Sequence, residues 1–405
     1  MFCAEVTWPP ARKASVSRLK RLLLITFVES FATVLIERGV YFYTYNRLGF
    51  TDVENLWMAL GFGASYAIGA LASHHLARRG TEKGLLVASL VGQFLVQVGL
   101  CAWPFSYTVA IGNAVIGLLA GLKWPLVESY VAAGLTPKDQ AKVIGRFNIS
   151  WAVPTALAVG AAGPLIAWRT EGLFAVAACL TVVSLILVLP LDRRAVHLPQ
   201  DHPERPNLRE MARYRGLLVS SRWSMLSKYS LMWILAALLP GLFEGLGVKN
   251  VIVATALAAQ LDVFRSLTFL ALHVWRGWHH RWEPLAWVIA GLPAGFFLAV
   301  FGPSVAVVLL GELVFGVSAG MTYYAALYYA MVVKNASVDA GGAHEGLIGA
   351  GFAVGPAAGL AGNALAPAVG GVVLGRIVGV APVVVACVVG AVVSLVKVAR
   401  TARTG

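Results

Sequence analysis

Long apolar runs separated by short polar breaks set the pattern of this chain. Runs able to cross a hydrocarbon layer about 30 Å thick are expected at 22–45, 53–77, 84–103, 107–133, 142–168 and 171–190. They resume at 223–245, 249–275, 284–302, 304–333, 345–366 and 371–397. This predicts an all-α integral membrane protein with twelve transmembrane helices. The polar stretch from Leu191 to Arg222, with Pro199, Pro203 and Pro206 near its start, divides them evenly and is expected to carry a short surface helix near Leu208 to Tyr214. The organisation is therefore a six-helix half over 1–190, a linker over 191–221 and a second six-helix half over 222–405. The basic first segment leads into a run interrupted by Glu29 and Glu37-Arg38, with no small-residue cleavage site after it, and reads as an uncleaved first span.

The two halves repeat. A register that lays Gly117 on Gly316 also lays Ala120 on Ala319, Gly121 on Gly320, Trp124 on Tyr323 and Tyr130 on Tyr329. Close to that register, Leu48-Gly49 falls on Leu246-Gly247, and after a short insertion Ile144-Gly145 falls on Ile348-Gly349. A collinear set of this kind indicates two similar units joined head to tail.

Composition agrees: 59% of residues are hydrophobic and 13% charged, with mean hydropathy +0.76, against roughly 25% charge in a soluble domain. Lipid is the expected solvent for most of the chain. Cys3, Cys101, Cys179 and Cys387 are isolated and read as packing residues, without disulfide or metal spacing. The adjacent His74 and His75 point about 100° apart on a helix, so no metal site or other cofactor is expected from them. The net charge of +13 is topological in origin. If the N-terminus is inside, the outer segments hold only Arg47, Arg169, Lys249 and Arg376, while the remaining loop cations lie on the inner side. The positive-inside rule then places both termini and the linker in the cytoplasm, in a multi-pass protein of the plasma (inner) membrane. Nucleic-acid binding, the other use of a basic chain, needs a soluble basic face that is missing.

This arrangement resembles the major facilitator superfamily, and the likeness covers the whole chain in architecture. The segment Gly69-Ala-Leu71-Ala-Ser73-His74-His75-Leu-Ala-Arg78-Arg79-Gly80 is similar to that family's GxLxDRxGRR signature, with Ser73 in place of the aspartate. Span 5 has Gly160-Ala-Ala-Gly163-Pro164, and span 11 has Gly351-Phe-Ala-Val-Gly355-Pro356-Ala-Ala-Gly359, close to the family's GxxxGPxxGG pattern. The resemblance implies the major facilitator fold, alternating access, and a substrate site between the halves lined by spans 1, 4 and 7.

Ionisable side chains inside a bilayer cost at least about 2.5 kcal/mol unless paired or wetted, so each is a functional candidate. Here they are Glu29, Glu37, Arg38, Lys123, Glu128, Arg146, Lys228, Asp262, Arg265 and Glu312. The proton-coupling candidates are Glu29, Glu37, Arg38, Lys123 and Lys228. Glu29, Lys123 and Lys228 fall at similar depth by helical rise, and the repeat lays Glu29 on Lys228. Glu128 with Arg146 is expected to pair near the cytoplasmic boundary, and Asp262 with Arg265 to pair at i, i+3; these four are the gate candidates. Tyr41, Trp124, Asn148, Trp151, Tyr323, Tyr324 and Tyr328 are candidates for the substrate cavity, because buried tyrosines need polar partners. Span 1 reads Glu37-Arg38-Gly39-Val-Tyr41-Phe42-Tyr43 and span 4 reads Gly121-Leu122-Lys123-Trp124-Pro125. Both are similar to motifs of the proton-coupled oligopeptide transporters, although Val34 stands where their first glutamate would be.

The expected function is secondary active transport of a small polar or amphipathic solute, coupled to a proton or another ion, by a monomer. Proton symport is the first reading and proton-driven efflux of a drug or metabolite the alternative. A transport-dead receptor or sensor would keep the same fold. A polytopic membrane enzyme would need convergent catalytic residues, and no such spacing is present.

Overall fold

The computed structural model of the protein describes residues 16–133, 135, 137–195, 208–275, 277–334 and 338–403. Among them every regular element is a helix. The first half holds α1 (Val16–Glu37), α2 (Gly39–Tyr43) running into a π turn (Thr44–Leu48), α3 (Asp52–Arg79), α4 (Glu82–Ala102), α5 (Ser106–Ala132), α6 (Pro137–Trp168) and α7 (Gly172–Val188). The second holds α8 (Leu208–Gly245), α9 (Val251–Ala258), α10 (Gln260–Val274), α11 (Glu283–Phe301), α12 (Val305–Lys334), α13 (Val338–Val369) and α14 (Val372–Arg403). With α1 and α2 forming one crossing and α9 and α10 another, these make twelve spans. Ten are long and apolar enough to cross a membrane; α7 is shorter but apolar, and α1 carries the charges of the first span.

The helix expected near Leu208 to Tyr214 is not separate from span 7: it forms the first turns of α8, which runs unbroken to Gly245. Span 11 likewise begins at Val338, so residue 345 lies inside the helix. The basic residues before 16 and the linker prolines Pro199, Pro203 and Pro206 lie outside the described residues.

Helix starts follow local chemistry. The Thr51 hydroxyl caps α3 by accepting from the Glu54 amide, while the Glu54 carboxylate accepts from the Thr51 amide. Exposed side chains such as Ile68 and Ile111 are apolar, as a lipid-facing surface requires, and Trp57, Trp103 and Trp168 stand exposed at the ends of α3, α4 and α6.

The repeated glycines are close-packing points in both halves. A Cβ on Gly117 or Gly121 would meet the Phe62 or Tyr66 carbonyl of α3. One on Gly316 or Gly320 would meet Leu261 or Thr268 of α10, the corresponding neighbour in the second half. The halves join along two seams, α3 against α13 and α6 against α9 and α10. In the first, Gly359 lies on Leu56, Gly349 on Ala67 and Gly342 on Ala70, so contact extends from one end of the helices to the other. In the second, Pro164 lacks an N–H for the Gly160 carbonyl, which instead accepts from the Thr255 hydroxyl at 3.5 Å, while Thr255 Oγ1 accepts from the Gly163 amide at 3.1 Å.

Candidate functional site

Between the two seams lies a central cavity of about 80 Å³. That is room for a few waters. Its wall draws Glu37 and Arg38 from the first span, Trp124 and Glu128 from α5, Trp151 from α6, Arg265 from α10, Tyr323 from α12 and Glu345 from α13.

One interrupted helix and one continuous span position the charges. The first span breaks at Arg38, between α1 and α2, where Gly39 lets the chain lie against Ala162 of α6; a Cβ there would come within 2.9 Å of the Ala162 Cβ. In span 8, α9 passes into α10 at Ala259, just before Asp262, with helical backbone throughout. Irregular backbone at membrane depth is tolerated where it lines a cavity or is covered by protein. From the break in the first span Arg38 reaches across to Asp262, forming an ion pair between the halves. Asp262 also pairs with Arg265 at 2.8 Å, as the i, i+3 spacing predicts, and the Arg265 guanidinium lies 4.7 Å from the centre of the Trp151 ring. All three charged groups are buried. Glu37, beside Arg38, faces the cavity and makes no ion pair or hydrogen bond among the described residues. Glu312 on α12 is fully buried, and neither carboxyl oxygen has a hydrogen-bond partner.

Glu29 and Lys123 form an ion pair, as their equal depth suggests. Lys123 Nζ also donates to Thr33 Oγ1 and Gln93 Oε1, each at 2.7 Å, and Gln93 Nε2 donates to Thr181 Oγ1 at 3.2 Å. This network ties α1, α4, α5 and α7 together inside the first half. It lies behind the cavity wall, with the ammonium 5.3 Å from the centre of the Trp124 ring. Lys228 does not join it. Its ammonium is buried without a hydrogen-bond partner, 3.9 Å from the Tyr229 ring centre and 4.9 Å from that of Tyr323. The repeat equates Glu29 and Lys228 by position within their halves, but each half packs its own neighbours around that position.

The expected pair of Glu128 and Arg146 is not formed. Arg146 is exposed, whereas Glu128 is buried and turned toward the second half, where it meets Glu345 of α13 and Tyr323 of α12. Three of the seven cavity candidates, Trp124, Trp151 and Tyr323, line the cavity. The other four do not. Asn148 is buried and accepts from the Trp151 indole at 3.2 Å, and Tyr41 is buried with its hydroxyl unpartnered. Tyr324 and Tyr328 pack around Trp278, with Tyr328 stacked on His279. Their helix faces differ from that of Tyr323, so they are neighbours in sequence but not in the cavity.

Several lining residues were not singled out from sequence. Glu345 accepts from the Tyr66 hydroxyl across the α3–α13 seam, and Phe352 stacks on Trp233 with centroids 3.5 Å apart. His344 and Glu345 stand at the expected edge of span 11, where charge is unremarkable; only the earlier start of α13 carries them into the bundle.

Beyond the cavity the halves also meet at the end away from the termini. Arg376 of α14 pairs with Asp52 of α3 at 2.8 Å, and Tyr45 donates to Glu244. Contacts between the halves therefore occur at both ends.

In sequence, the model of the Major Facilitator Superfamily matches residues 22–360. No curated protein matches the chain. In structure, a bacterial homologue of the human lysosomal transporter Spinster, solved inward-facing and unoccupied, superposes with a TM-score of 0.64, 16% identity and 98% of each chain covered. The human organic anion transporter MFSD10 gives 0.60 at 14% identity, covering 95% of this chain and 100% of that one. The nucleoside transporter NupG gives 0.61 at 11% identity, covering 94% and 98%. At these identities the likeness is one of fold.

Proposed function

The chain belongs to the Major Facilitator Superfamily, and on that premise we propose that it is a proton-coupled symporter of a small polar or amphipathic solute. It is a multi-pass membrane transporter, not an enzyme. The observation that carries the finer reading is the juxtaposition, at one helix break, of a cavity-facing carboxyl without a partner and an arginine committed to the opposite half.

In the closed state Arg38 belongs to Asp262. An ionised Glu37 would compete for that guanidinium, and a protonated one would not. Proton arrival from outside thus favours closure over the solute, and proton release on the termini side draws Arg38 back and loosens the halves. The aromatic rings of Trp124, Trp151, Tyr323 and Phe352, with charges of both signs among them, suit a solute with an apolar body and a polar group. We place the termini side in the cytoplasm, on the distribution of Lys and Arg.

Thermal-shift screening identifies a stabilising solute by mass action. In proteoliposomes, Glu37→Gln should abolish accumulation driven by a pH gradient while preserving counterflow exchange. Undiminished accumulation would refute the role of Glu37. Alkalinisation of everted vesicles on adding the solute would signal antiport and refute symport.

A further inference from the structure

At the termini end of the cavity, Glu128 of α5 and the adjacent His344 and Glu345 of α13 converge from opposite halves. One donor atom from each lies within 4.8 Å of the other two. We infer that these three residues bind a first-row divalent cation, of the series from Mn2+ to Zn2+.

Adjacent residues on a helix diverge by about 100°, which normally argues against shared ligation. Here the third ligand comes from the facing helix α5, and its donor atom comes near those of both adjacent residues. Gly341 makes the approach possible: a Cβ there would come within 3.1 Å of Glu128 Oε2 and 3.3 Å of the Pro125 backbone. Carboxylate oxygen and imidazole nitrogen bind such ions at about 2.0–2.2 Å, so three donor atoms around one ion lie about 3–4 Å apart. Side-chain rotation within the cluster would bring the three donors to that spacing.

Three further observations point to a cation. First, His344 is buried to 1% exposure, and neither Nδ1 nor Nε2 has a hydrogen-bond partner; Oε1 of the buried Glu128 also has none. A buried imidazole with both nitrogens unused is costly unless a ligand takes one. Second, the Glu128 and Glu345 carboxyls are in direct contact, and two carboxyls held so closely require positive charge between them, either a proton or a metal ion. Third, the charges around the cavity do not balance. Glu37, Glu128, Asp262, Glu312 and Glu345 face Arg38, Lys228 and Arg265, with Arg222 near His344, which leaves one carboxyl uncompensated among the described residues. A bound cation supplies that charge. The imidazole disfavours Mg2+ and Ca2+, and the absence of thiolate disfavours Cu+. Because Glu128 and Glu345 line the cavity, the remaining coordination positions face the solute or water, and the ion would tie the halves together at this end.

The test is titration of the purified full-length protein, stripped with a chelator, with Co2+ and Mn2+. One saturable equivalent is expected, with nitrogen modulation from imidazole in the pulsed electron paramagnetic spectrum of bound Mn2+. His344→Gln and Glu345→Gln should each weaken binding at least about tenfold, while His74→Ala/His75→Ala and Glu37→Gln should leave it unchanged. The Glu37 variant separates this site from the coupling reading, since its transport defect and its metal binding are independent. No saturable binding by the wild-type protein overturns the inference whatever the variants do. So does binding without nitrogen modulation, or binding abolished by the His74/His75 change. A proton alone between the carboxyls would give the first of these results.

Discussion

Replacing Asp262 by asparagine removes the one anion that serves two buried guanidiniums, one from each half. Arg38 and Arg265 are 4% and 2% exposed and Asp262 is fully buried, so little water is available to replace the lost carboxylate. Breaking a buried pair by removing one partner costs about 3–5 kcal/mol. The nearby Glu37 and Glu312 carboxyls argue for the lower end. The part that acts between halves is the Arg38 bridge, because the Arg265 pair lies within α10. Loss of about 3 kcal/mol from the closed state shifts its equilibrium with open states on the order of a hundredfold. Thr155 lines the cavity and is 4% exposed. Thr155→Cys, in a background lacking the native cysteines, therefore reports opening through its rate of alkylation. The Asp262→Asn variant should raise that rate by about two orders of magnitude, and Arg38→Gln combined with it should add little, because the interaction is already gone. An unchanged rate, or fully additive effects of the two substitutions, would refute the bridge as the element holding the halves closed.

The Glu29–Lys123 pair should behave differently, as a support within one half. Lys123→Ala is expected to lower stability by about 3 kcal/mol, seen as a reduced Tm in detergent, and Glu29→Gln/Lys123→Gln to recover part of it. Retention of the wild-type Tm in Lys123→Ala would contradict this. Gly121→Leu and Gly320→Leu should both sharply reduce the yield of folded protein, since the added side chains meet the Tyr66 carbonyl and Thr268 at closely packed crossings; wild-type size-exclusion profiles for both would contradict the packing argument. Cysteines replacing Lys83, Lys142 and Arg213 should be protected from an impermeant maleimide on intact cells, and those replacing Arg47 and Lys249 should react. Reaction at position 142 from outside would reverse the orientation.

Segment length, hydropathy and the glycine repeat were enough to determine twelve helices in two similar halves, because a span and a close crossing are local demands: enough apolar residues to cover the bilayer, and no Cβ where a neighbouring backbone passes. The pairing of Asp262 with Arg265, set by helical spacing, was also legible, and so was the common depth of Glu29 and Lys123, whereas the expected pairing of Glu128 with Arg146 within one half did not form. Partners across the halves were not legible. Arg38 meeting Asp262, and Glu128 meeting Glu345 instead of Arg146, depend on which faces the helix break and the seams turn inward. A shift of a third of a turn would exchange cavity for lipid. The same rotation separates Tyr323 in the wall from Tyr324 and Tyr328 behind it, and brings His344 and Glu345 from an expected boundary into the bundle. Apolar periodicity is weak when lipid and protein interior are equally apolar, so beyond its glycines the chain carried little signal of which face each helix presents, and tertiary packing decided it.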